Sequence, residues 1–295
     1  PPGYLLFTYQ GHTASVGTVA WSPDGSLLAS GSADRTAQVW DAHTYRTLVT
    51  YRGHSGGVQS LAWSPDGSRI VSGGDDHTLQ VWEASTAAPL FTLSGHSDTV
   101  WMVGWSPDGT ALASASNDGT VRVWDAGTGA SVRVYRGHSD FVYCLAWAPD
   151  SQRIASGSND RTVQVWEAQS GQLLSTYRGH SNLVATVAWS PHRTQMASGS
   201  RDKTVQIWEV SSGRTQLVYT GHIHQVNTAA WSSDGSRIAS ASNDDTVQVW
   251  NAKTGSTELT YRRHTDYVWC AAWSPDDTRM ASSCNDGTVQ IWQVA

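Results

Sequence analysis

A chain of 295 residues with 16 Trp and 27 Gly is long enough to bury a sizeable core, and its formal charge of −6, with no block of like charges, speaks against nucleic acid or an anionic membrane surface as partner. No apolar run approaches the roughly 18 residues of a membrane span. Three cysteines (Cys144, Cys270 and Cys284) are too few, and odd in number, for a disulfide framework; buried free thiols and a reducing, cytoplasmic compartment are the expectation.

The chain opens on "YLLFTYQGH", residues 4 to 12, a strand running into a turn. From there the sequence repeats. Tryptophan recurs every 42 residues from Trp21 to Trp273 and again from Trp40 to Trp292, and histidine recurs at the same step from His12 to His264. Seven units of 42 fill 294 positions without insertion, so residues 1–295 read as one domain, although length alone suggests about two.

Each unit contains four short strands. In the fourth, "FVYCLAW" ends at the turn "APD", "RIASGS" at "NDR" and "TVQVWEA" at "QSG", and "LLSTYR" follows. Within the third of these, Val163 and Val165 share one face and Thr162, Gln164 and Trp166 the other. The last unit stops at "TVQIWQVA", a third strand. Residues 4–9 are therefore expected to supply the missing fourth, so that residues 1–10 complete the unit formed by 264–295 and hide two sheet edges. An all-β fold follows, and seven four-stranded sheets bury both faces only by stacking in a ring.

"GH" at 137–138, "WAPD" at 147–150, "SGSND" at 156–160 and "VWE" at 165–167 closely resemble the WD-repeat family, and the resemblance recurs seven times. It implies a seven-bladed β-propeller of four-stranded antiparallel blades. It also implies one hydrogen-bonded tetrad per blade: His12, Ser30, Asp34, Trp40; His54, Ser72, Asp76, Trp82; His96, Ser114, Asp118, Trp124; His138, Ser156, Asp160, Trp166; His180, Ser198, Asp202, Trp208; His222, Ser240, Asp244, Trp250; His264, Ser282, Asp286, Trp292. Chemistry requires such a set, because a buried indole N–H needs an acceptor that a Ser hydroxyl provides while donating onward to His. Ser30 is preferred over Ser32 because its position is Ser in all seven units.

Ser, His and Asp together also suggest a nucleophilic triad, but seven identical catalytic centres in one chain are implausible. His222 and His224 lack a third metal ligand at a recognisable spacing, and His222 belongs to the tetrad series. Recurring glycines are expected at turns that need positive φ. The protein is read as non-enzymatic, without cofactor or metal.

Where the units differ, individual use becomes visible. Fourteen of the 16 tryptophans belong to the two recurring series; Trp101 and Trp269 do not. Both stand five residues after the recurring His, where other units have Gly17, Gln59, Tyr143, Ala185 and Asn227. Two residues earlier stand Phe141, Leu183 and Tyr267. The residue before the tetrad Asp varies too, and is Arg201 in the fifth unit. In the WD-repeat family these three positions open on the top face beside the channel, which makes Trp101, Phe141, Tyr143, Leu183, Arg201, Tyr267 and Trp269 candidate contacts for a protein or peptide. The aromatics fall on blades 3, 4 and 7, on opposite sides of a ring of seven. The alternatives are local packing between blades, a glycan ligand, or a symmetric scaffold without a ligand.

The resemblance further suggests the sensor end of a larger signalling protein and a monomeric ring. Four blemishes interrupt the frame: Arg263 for the Gly of "GH", Ser233 for Pro, His192 for Asp and Asp277 for Gly.

Overall fold

The strand pattern forms as the alternation dictates. In the fourth unit the strands are Val142–Trp147, Arg153–Ser158, Val163–Glu167 and Leu173–Tyr177, paired antiparallel in that order from the ring axis outward. These come from a computed structural model that describes residues 2–294; Pro1 and Ala295, the ends of the expected domain, lie outside the described residues. All seven sheets have four strands, and each inner strand packs beside the inner strand of the next sheet until Val268–Trp273 meets Val16–Trp21. Blade 7 is completed by Leu5–Tyr9, which pairs antiparallel with Val289–Gln293. The ring is thus closed by the start of the chain, as the two incomplete ends predict.

The core lies between blades. Trp166 of blade 4 packs with Val121, Val123 and Tyr135 of blade 3, whereas Val163 and Val165 pack against Trp208 of blade 5. Opposite faces of one strand therefore serve two different interfaces, and both are buried. A recurring Tyr at the end of six of the seven outer strands crosses this boundary. Tyr135 stacks on Trp166 at 4.3 Å, nearly coplanar, and donates its hydroxyl to Gln164 at 2.6 Å. The glycine of "GH" answers to this arrangement rather than to φ. A Cβ on Gly137 would overlap the Tyr135 hydroxyl, and Gly137 is not among the positive-φ residues. Six of the second Trp series, all but Trp105, staple neighbouring blades, as Trp63 Nε1 donates to the Ala20 carbonyl and Trp21 Nε1 to that of Ala272 across the closing seam.

Six tetrads form in full. In blade 3, Trp124 Nε1 donates to Ser114 Oγ at 2.9 Å, Ser114 Oγ lies 2.8 Å from His96 Nε2, and His96 Nδ1 lies 2.7 Å from Asp118. Since the hydroxyl accepts from the indole, it donates to Nε2, which leaves the imidazole proton on Nδ1 for the carboxylate. Thr120 adds a hydroxyl to the same Asp, an extension absent from the four-residue motif. Burial opposes the charge on Asp118, but hydrogen bonds from His96 and Thr120 outweigh it and hold the carboxyl well below the usual range. Asp202 and Asp244 reach about 2 in the same balance of burial against His180 and His222.

The seventh tetrad departs from the expectation. Trp292, Ser282 and His264 Nε2 are joined, but His264 Nδ1 is buried without a partner, and exposed Asp286 accepts from Thr265 instead. Blade 2 keeps its His54–Asp76 bond at 2.8 Å with Gly74 where blade 7 has Cys284, and blade 3 keeps its bond with Gly119 where blade 7 has Gly287. Arg263 is the remaining difference in the loop, and it puts a side chain where a Cβ on Gly137 would overlap the Tyr135 hydroxyl. Burial then lowers His264 to about 4, opposed only by the charge of Asp286.

Two other departures compensate each other. Ser233, in place of Pro, donates both its backbone N–H and its hydroxyl to Asp277 of blade 7, in place of Gly. At the boundary between blades 2 and 3, Leu93 and Arg122 stand where the other boundaries have the Tyr–Gln pair; Arg122 leans toward Trp124 at 5.9 Å and its Nε is buried without an acceptor among the described residues.

Candidate partner-binding rim

Every inner strand begins with a β-bulge. Val142 opposes Ser158 and Cys144 opposes Gly157, so Tyr143 is the extra residue; the same shift puts Trp101 and Trp269 outside their ladders. A bulge releases one residue from the pairing and re-aims its side chain. That is the physical reason this position can be Gly17 in one blade and Trp101 in another.

The released side chains are held from one side. Trp101 Nε1 donates to Asn117 at 2.6 Å and Trp269 Nε1 to Asn285 at 3.3 Å. Gln59 reaches Asp75, and Asn227 reaches Asn243, by the same step of 16 residues. Two of the variable positions are therefore one cross-strand pair, linking the bulge to the residue before the tetrad Asp. Asn159 donates to Asp140 and Asn285 to Asp266, each at 2.7 Å, in the two blades whose next residue is Phe141 or Tyr267. The "SDF" and "TDY" segments carried that signal.

The rim residues form two groups. Trp101 and Tyr143 lie 5.6 Å apart between ring centroids, and the Arg201 guanidinium is 6.0 Å from the Tyr143 ring, so blades 3, 4 and 5 are bridged in succession. On blade 7, Tyr267 meets Trp269 edge-on at 6.4 Å. Phe141 and Tyr267 are 42% and 44% exposed, and Trp101, Tyr143 and Trp269 are half-buried. Leu183 is a correction. At 4% exposure this aliphatic side chain offers no surface to a partner, as burial of apolar area favours.

The tetrads provide no nucleophile. Ser30 and its six counterparts are fully buried, and the hydroxyls are engaged by Trp and His. His222 is committed at both ring nitrogens, to Asp244 and Ser240. The cysteines are free, and Cys144 and Cys270 lie within reach of carbonyls of the next blade, Val184 and Val19. Burial pushes the Cys144 thiol far up, away from nucleophilic character.

A closed ring of seven four-stranded blades, six of them built round a complete Trp–Ser–His–Asp network, defines a β-propeller of the repeat type. The chain belongs to the WD domain, G-beta repeat family, whose model matches residues 3–41, 45–83, 87–125, 129–167, 171–209, 213–251 and 255–293. Each matched unit starts in the outer strand of one blade and ends in the third strand of the next, which is why the ring closes with Leu5–Tyr9. Among curated proteins, Mut11 of Chlamydomonas reinhardtii is 71% identical over 34 residues, 12% of this chain and 9% of that protein. HIRA of Zea mays is 51% identical over 37 residues, 12% and 4%. THO complex subunit 3 of Arabidopsis thaliana is 54% identical over 33 residues, 11% and 10%. The aligned segments span about a tenth or less of these relatives.

Proposed function

We propose that this propeller is a non-enzymatic recognition domain of a larger signalling protein, binding a protein or peptide over its top face. One observation carries the reading. The bulge frees one residue per blade from the frame, and blades 3, 4 and 7 place Trp101, Tyr143 and Trp269 there while the others place Gly, Gln, Ala and Asn. Half-buried aromatics beside exposed ones, with an Arg alongside, are the composition of interface anchors. Packing alone does not require them, since Gly17 occupies the same bulge without disturbing its blade's tetrad. One relative points the same way by name, THO complex subunit 3.

A displayed peptide library and a glycan array, each probed with the wild-type protein and with Trp101→Ala/Trp269→Ala, test the reading. Peptide binding lost in the double variant, with an unchanged melting temperature, supports it. Peptide binding that survives moves the site elsewhere, and hits confined to the glycan array replace the peptide with a sugar.

A further inference from the structure

We infer that the partner segment is acidic and lies across blades 3 to 5, from a notch at Gly119 to Arg201; the inference rests on the top rim being the partner surface. The first support is steric. The residue after the tetrad Asp has positive φ in every blade, yet it is Arg35, His77, Arg161, Lys203 and Asp245 in five of them, so the conformation does not demand glycine. At Gly119 the missing side chain leaves a notch whose nearest neighbour to a Cβ is the Asp140 carbonyl at 3.7 Å. Asn117, Arg136, Ser139, Asp140 and Phe141 line it.

The second support is charge. In a chain of net charge −6, the top loops of blades 4 and 5 carry Arg136, Arg161, Arg178, Arg201 and Lys203, all exposed. None of the five has a salt-bridge partner among the described residues. The carboxylates among them are engaged, Asp140 with Asn159 and the tetrad residues Asp160 and Asp202 with His138 and His180. Five cations against these three carboxylates leave the sector positive in an acidic chain, and an anionic segment is drawn to it and steered in association. Asp98 on blade 3 and Asp245 and Asp266 on blades 6 and 7 bound the sector, which suits a short acidic peptide better than a long polyanion.

A peptide library is selected on the wild-type protein, and binders that depend on Trp101 are sequenced and titrated against Gly119→His and Arg201→Glu/Lys203→Glu. Because His77 occupies the same turn at φ 64, Gly119→His is expected to fold, and melting temperatures check this. The expected result is enrichment of Asp, Glu or phosphorylated residues. Each variant should weaken binding about tenfold or more, and raising salt from about 50 to 300 mM should weaken it several-fold. Trp101-dependent binders of neutral or basic sequence, unaffected by Arg201→Glu/Lys203→Glu, overturn the acidic assignment and leave the rim reading standing. Absence of any Trp101-dependent binder overturns both. A single-stranded oligonucleotide bound as tightly as the best peptide overturns the peptide in favour of nucleic acid.

Discussion

The rings of Trp101 and Tyr143 meet at 5.6 Å although they belong to different blades. Both occupy the bulge of an inner strand, so the same backbone device delivers both to one rim. Arg201 continues the row from blade 5. The contact couples the two halves of the molecule's design: a frame that repeats, and a position in each blade exempt from it.

The frame should show its strength at a tetrad serine. Ser114→Ala removes the acceptor of Trp124 and the donor to His96, both buried. A loss of about 1–3 kcal/mol in urea unfolding is expected. Ser97→Ala, on the exposed loop beside it, should change stability by less than about 0.5 kcal/mol.

Blade 7 should be improvable. Arg263→Gly restores the glycine of the other six blades and should let His264 Nδ1 donate to Asp286, with a gain of about 1 kcal/mol in thermal or chemical unfolding. Gly137→Arg should do the opposite in blade 4, because its side chain collides with Tyr135.

The same substitution should alter pH dependence. His264 is depressed from 6.5 to about 4, so the unfolded chain takes up this proton first as pH falls. The stability tied to it is complete above about pH 6.5 and is lost as pH falls towards 4. Pairing with Asp286 raises the folded pKa, so Arg263→Gly should flatten the unfolding free energy across that window. An equal slope in both proteins would mean that His264 is already paired.

The boundary between blades 2 and 3 offers a coupled test. Leu93→Tyr with Arg122→Gln installs the Tyr–Gln–Trp arrangement of the other blades and removes the buried, unpartnered Nε of Arg122. A double-mutant cycle on unfolding should show favourable coupling of about 1 kcal/mol, because neither change alone supplies both partners.

Much of this was legible because the chain reports on itself seven times. The strands, the closure by Leu5–Tyr9 and six tetrads follow from alternation, from the incomplete ends and from the family resemblance. What stayed hidden involves backbone offsets and compensation. The bulge at Tyr143 leaves no mark in a strand of β-formers, since one extra residue does not alter composition. Ser233 and Asp277 look like two separate defects until their hydrogen bond joins them across blades. Arg263 was visible as a departure, but its effect falls on His264 Nδ1, a neighbour that keeps its identity. Leu183 was grouped with the rim by position, whereas its side chain turns out to be buried.

Hydrogen–deuterium exchange on the protein with and without a selected peptide tests the role of the rim most directly. Binding at the rim predicts slowed exchange at the strand entries around Trp101, Tyr143 and Trp269, with the bottom turns at Asp24 and Asp66 and the outer strands unchanged. Protection confined to those turns, or to an outer strand such as Leu173–Tyr177, would contradict it.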